Sequence, residues 1–301
     1  MRGFLQSSGV VARQEWADAF RSRRALVLLV LYFVGALAAT LLFIKVLHQV
    51  ENQVESAVGI SQSRQAGAST SALWRSHAFR EILIHLAGDE ALARDLLSLP
   101  PLALFYGWLS FAFTPLLVIL LSSARIAEEV WSGSARFAMF RVSRGSWVFG
   151  KLNGQAAQLL VALLASGLAA WAMGWWRLAG FDPLVNGLGI LMFALKAWVY
   201  AIAWLGVAMA VSQWLTNPTL ASVFGLIALV VLAAVSGLAG AFTGAGWRAG
   251  LDLVRMLTPA GHEADLWRLD AAHAAPAVLF LLALGLAYTA AGYARFGRRD
   301  L

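Results

Sequence analysis

The sequence predicts an all-α, polytopic membrane protein with six transmembrane helices, and three observations predict it. Apolar stretches at about 25–46, 102–123, 152–175, 184–211, 219–242 and 276–294 carry almost no charge. At about 1.5 Å of rise per residue, some 20 apolar residues cross a hydrocarbon core about 30 Å thick. None of the stretches alternates polar and apolar positions as a barrel strand would, and only helices and closed barrels satisfy every backbone group within a bilayer. Composition agrees, since 60% of the 301 residues are hydrophobic and 13% are charged.

Charge placement orients the spans. The net charge is +7. Arg2, Arg13, Arg21, Arg23 and Arg24 precede the first span, Arg125, Arg136, Arg141, Arg144 and Lys151 lie between the second and third, and Arg295, Arg298 and Arg299 follow the sixth. The other side is richer in acids, among them Glu51, Glu55, Asp182, Asp252 and Glu263. The positive-inside rule therefore places both termini and the 124–151 loop in the cytoplasm, and an even number of spans agrees. The expected location is the cytoplasmic (inner) membrane. The basic balance is a topology signal, and no nucleic-acid partner is expected.

The whole chain, 1–301, reads as a single transmembrane domain. No gap between spans is long enough for an independent domain of roughly 100 residues; the longest is the external loop 47–101. Residues 8–24 form an amphipathic interfacial helix, with Ala12, Trp16, Ala19 and Phe20 on one face and Arg13, Gln14, Glu15 and Asp18 projecting elsewhere. Such a helix suits membrane lipids, aromatics in the headgroup layer and cations toward anionic lipid. The first span continues apolar to position 46, so it reads as retained rather than as a cleaved leader. The external loop begins polar, shows helical spacing from Leu73 to Leu86, and predicts a short helix at 90–97 before the Pro100–Pro101 pair admits the second span. Residues 243–275 predict two short external helices broken at Pro259, re-entrant-like, and a dip into the bilayer is tolerated there only where protein or a wet cavity covers the backbone. Small residues at Gly35 and Ala39, at Gly167, Ala170 and Gly174, and at Gly240 and Gly244 mark close helix approach.

Most chemical motifs dissolve on inspection. Gly145 to Lys151 has the G-x-x-x-x-G-K spacing of a phosphate loop, yet Leu152 stands where Ser or Thr must hold magnesium, and Trp147, Val148 and Phe149 crowd the loop. His262-Glu263 lacks a second histidine at 266, the remaining histidines are scattered, and there is no cysteine, so no metal site and no catalytic residue is expected. Lys196 is the single charge deep in a span. Three readings stand: a cation facing a central cavity, a snorkelling side chain, or a fourth span that starts later than drawn. No Asp or Glu falls inside a span as drawn, which disfavours a stand-alone ion-coupled carrier.

The 124–151 loop is the most informative polar stretch. It mixes Glu128, Glu129, Arg136, Arg141 and Arg144 with Trp131, Phe137, Phe140 and Trp147. That composition suits docking of a soluble partner, or rest on the lipid interface.

At these residues the chain resembles the type-2 export permeases of ATP-binding-cassette (ABC) transporters. The leader from Ala12 to Leu29, the stretch from Glu128 to Lys151 with its Val142-Ser143-Arg144, and the ending Phe296-Gly-Arg-Arg-Asp-Leu301 carry the resemblance. In layout the chain is similar to the permease of nitrous-oxide-reductase maturation systems, although its first external loop is longer. Arg141 departs from the family, which often has proline there. The resemblance implies a permease subunit working as a homodimer or with a close relative, and two copies of a separate ATPase that hold the ATP and magnesium. No cofactor is expected on this chain. It further implies that Glu128, Glu129, Trp131, Gly133, Arg136, Phe140, Arg141 and Arg144 contact the ATPase. Apolar span walls with few polar handles point to a lipid-like, amphiphilic or drug-like cargo rather than small ions. A stand-alone secondary transporter or channel, and a non-transporting scaffold or assembly factor, are the competing readings.

Overall fold

The computed structural model describes residues 2–58, 90–178, 180–241 and 248–299, and among these every regular element is helical. Helices α1 (Arg2–Arg21) and α2 (Arg23–Val58) meet at Ser22; α3 (Glu90–Leu97) precedes α4 (Pro101–Ser122). Two short helices, α5 (Arg125–Trp131) and α6 (Ser134–Met139), lead into α7 (Arg144–Arg177) and α8 (Pro183–Trp214). Helix α9 (Pro218–Ala241), α10 (Arg248–Met256), a 3-10 turn (Pro259–His262), α11 (Glu263–Trp267) and α12 (Ala271–Phe296) complete the order. Six of these helices are long and apolar enough to cross a membrane. The helical spacing expected at 73–86, and Gly244, lie outside the described residues.

Capping residues explain several helix starts. Ser143 accepts from Ser146 N at α7, Asp182 from Leu184 N and Val185 N ahead of Pro183 at α8, and Asp270 from Ala272 N at α12. Asn217 does the same for Thr219 and Leu220 at α9. Helix α7 begins at Arg144, so two turns of the stretch that reads as loop are already helical.

Helix α8 is the axis of the bundle, packed against α4, α7, α9 and α12. Some 72% of its most apolar window is buried, against 17% for α2 and 11% for α9, so those two flank the bundle with their apolar faces open. Gly206 of α8 and Gly285 of α12 lie so close that a side chain on either would strike the other helix's backbone. Aromatic donors link helices as well: the Tyr106 hydroxyl donates to the Leu163 carbonyl at 2.6 Å, and the Trp198 indole N–H to the Ala156 carbonyl at 2.8 Å. Gly167 and Gly174 meet neighbouring side chains closely, whereas Gly35 faces open space.

The hairpin made by α10, the 3-10 turn and α11 reaches far along the bundle. Trp267 packs on Phe111 and Phe193, each at 5.2 Å between ring centres, and Leu266 is buried. Tyr200 donates to Glu263 at 3.4 Å, and Tyr288 donates to the Leu257 carbonyl at 2.6 Å. Tyr200 lies roughly 25 Å along α8 from its Pro183 end, and Tyr288 about as far along α12 from Ala271. The hairpin therefore folds inward to the middle of the neighbouring spans. Its carboxylate at Glu263 lies at span depth, although every span drawn from sequence is free of acids.

Candidate docking site

The end of the bundle that carries both termini brings leader, loop and tail together. On α1 the buried positions are Ser8, Val11, Glu15 and Ala19. This stripe is turned from the apolar face read in the sequence, and Glu15 lies inside it. The reason is α7. A Cβ on Gly150 would stand 2.6 Å from Val11 Cβ and 2.7 Å from the Ser8 carbonyl, and one on Gly154 would stand 2.7 Å from Glu15 Cβ. The two glycines let α1 lie against the α7 backbone. Lys151, between them in sequence, bonds to both Glu15 and Glu129. The G-x-x-x-x-G-K spacing thus serves helix contact and a buried ion triad, because its segment is helical from Arg144 onward.

From Lys151 the contacts continue to the tail. Its ammonium sits 4.9 Å from the Trp147 ring centre, and Trp147 stacks on Phe296 at 5.7 Å and 16°. Trp147 and Phe296 are both buried, so Trp147 belongs to the core rather than to an outward aromatic surface. Arg144 Nη1 donates to the carbonyls of Phe296, Gly297 and Arg299, at and just beyond the negative dipole end of α12. Arg299 donates to the Trp214 carbonyl at 2.9 Å; burial, then Arg295 nearby, hold its guanidinium below the ordinary arginine range. Finally, Ser212 of α8 accepts from Ile126 N at 2.9 Å and Ala127 N at 3.1 Å. A side chain of the central helix thereby caps the first turn of α5.

Outside this anchored layer the loop presents aromatics. Trp131, Phe137 and Phe140 are 67%, 75% and 86% exposed. Gly133 joins α5 to α6 at φ 74°, a left-handed conformation that favours glycine. Arg136 and Arg141 are exposed, Glu128 is half-buried on the first turn of α5, and Arg13 is exposed on α1. Trp16 is half-buried, and the Phe20 side chain lies outside what is described. Between α1 and the α5–α6 pair runs a groove of about 750 Å³, walled by Glu15, Asp18 and Glu129 and rimmed by Phe137, Phe140 and Arg141.

Lys196 stands elsewhere. It donates to the Arg268 carbonyl at 2.8 Å, at the end of α11, and so ties the hairpin to α8. Lys151, Ser212 and Phe296 escaped the sequence reading as site residues. A signal existed for the first, glycines flanking a lysine at one-turn spacing, but a partner 136 positions away carries none. Among the described residues no group of three or more His, Cys, Asp or Glu could hold a metal ion.

The fold and this end of the molecule define a class: a six-span helical membrane protein whose leader, 124–151 loop and tail form one packed unit. The chain belongs to the ABC-2 family of transporter proteins, whose family model matches residues 10–301. Membership makes it a membrane transport protein of the permease kind rather than an enzyme. Among curated proteins, none matches the chain in sequence.

Proposed function

We propose that this chain is the permease subunit of an ABC exporter, pairing with a second permease, and that each permease docks one of two ATPase subunits on its groove between α1 and the α5–α6 pair. The observation that carries the reading is the contrast between the two layers of the loop. Its outer layer holds three exposed large aromatics, and its inner layer is fastened to α1, α7, α8 and the tail. A surface that only met solvent would need neither. Trp131, Phe137 and Phe140 are the anchors, Arg136, Arg141 and Glu128 the polar contacts, and Gly133 the turn that aims them. Glu129 and Arg144 act from behind by holding the loop in place. ATP-driven closure of the ATPase pair pushes on α5, and the capped contact with Ser212 passes that motion to α8. Both termini then face the cytoplasm of an inner membrane, as the positive-inside rule requires. The cargo is lipid-like or amphiphilic and moves outward.

The test uses the ATPase that co-purifies with the tagged chain from its own membranes. Vanadate-sensitive hydrolysis is expected with the intact chain, and Phe137→Ala with Phe140→Ala should lower it at least about tenfold while the chain keeps its thermal midpoint. Transport by the chain alone in liposomes, without nucleotide, would establish the stand-alone carrier instead.

A further inference from the structure

The hairpin covers a cavity whose charges take no part in docking. It measures about 420 Å³, within the range of small-molecule sites, and opens between α4, α8, α9 and the hairpin. Part of its wall is apolar, with Pro115, Leu116 and Leu229; the rest presents Arg255 and Glu263. Ion pairs among the described residues join Lys151 to Glu15 and Glu129, and His262 to Asp265. Arg255 and Glu263 thus share one wall without pairing within 4.0 Å. Trp204, on the same wall, meets Tyr200 edge to face at 6.2 Å between ring centres. Tyr200, bonded to Glu263, sits midway along α8, so these groups stand at span depth, where charge is costly unless it serves a ligand or a wet cavity. A pair of opposite charges held apart beside apolar surface has one natural complement, a molecule with separated charges and an apolar chain.

We propose that this cavity binds a zwitterionic amphiphile, its cationic group toward Glu263, its anionic group toward Arg255 and its chain against Leu116 and Leu229. As a cargo site it rests on the transport reading above; as a binding site it does not. The measurement therefore needs no ATPase, and its failure leaves the docking reading untouched.

Native mass spectrometry of the full chain, released from nanodiscs of equimolar phosphatidylethanolamine and phosphatidylglycerol, reads the preference directly. Retention of the zwitterionic lipid should exceed that of the anionic one by about tenfold, and Glu263→Gln and Arg255→Gln should each remove about that factor. Arg177→Gln, at an exposed position outside the cavity, should change nothing. Should either charge variant fail to fold, Ser236→Trp fills the cavity and keeps both charges, and it must expel the retained lipid. Displacement of that lipid by a single-chain phosphocholine assigns the site to free amphiphiles, and resistance to displacement assigns it to a bilayer phospholipid. Equal retention of both headgroups, or unchanged retention in the charge variants and the filled cavity, overturns the proposal.

Discussion

Lys151 is one cation between two carboxylates, wholly enclosed by protein, and that ratio decides what its loss does. Glu15 comes from α1 and Glu129 from α5, so the ammonium is the pin between leader and loop. Removing it leaves two like charges facing each other, Glu15 enclosed and Glu129 about a third exposed at the groove. Breaking a buried pair in this way typically costs about 3–5 kcal/mol, whereas replacing all members by neutral groups of similar shape is often near neutral. Lys151→Met alone should therefore lower the thermal midpoint sharply. Lys151→Met combined with Glu15→Gln and Glu129→Gln should recover most of the loss. A triple variant no better than the single one would show that packing around Trp147, and not charge, sets stability here.

At the scale of elements, α1 is held by shape more than by its amphipathic face. An apolar-moment reading finds the helix but turns it wrongly, because it assigns Glu15 to solvent and cannot see a lysine on another helix. The positions that decide the matter are Gly150 and Gly154, whose lack of side chains lets the α1 backbone approach. Gly150→Ala or Gly154→Ala forces the helices apart, a kind of overpacking that costs about 1–3 kcal/mol. Helix α1 should then separate transiently while the spans persist. Trypsin cleavage at Arg21 and Arg23, both exposed beside the Ser22 break, should accelerate several-fold in either variant. Unchanged cleavage would mean that the leader is held by contacts other than this one. The spans themselves were legible because each is a continuous apolar run, and the helix at 90–97 because the Pro100–Pro101 pair ends it. Pairings between distant polar residues, such as Arg144 with the tail carbonyls, leave no local pattern to read.

For the whole molecule, α8 connects the two ends that matter. Lys196 and Tyr200 hold the hairpin, Ser212 holds α5, and roughly 24 Å of uninterrupted helix separates Lys196 from Ser212. Under the docking proposed above, a push on α5 would reach the hairpin through one rigid element, provided its cap holds. Ser212→Ala leaves the Ile126 and Ala127 amides without their acceptor, at a cost of about 1–3 kcal/mol for buried donors. Hydrogen exchange at those two amides should quicken about tenfold, and the cargo moved per ATP hydrolysed should fall although the ATPase still docks. Sequence marks 243–275 as re-entrant-like but cannot fix how deep it reaches, since that depends on Trp267 meeting Phe111 and Phe193, residues far away in the chain. Topology provides the last test. The chain has no cysteine, so any engineered one is a lone reporter. Ser98 and Ser132 are both exposed and lie beyond opposite ends of α4. By the positive-inside rule, the cluster of Arg136, Arg141 and Arg144 after Ser132 favours the cytoplasm for that end, and this is what the labelling tests. In sealed right-side-out vesicles a membrane-impermeant maleimide should label Ser98→Cys and spare Ser132→Cys, and in inverted vesicles the order should reverse. A small charged thiol reagent should also reach Ser236→Cys from the outside if the hairpin cavity is wet, at a rate lowered by zwitterionic amphiphile. Labelling of Ser98→Cys and Ser132→Cys from the same side would remove α4 from the set of spans, and with it the separation between docking end and cavity on which coupling through α8 depends.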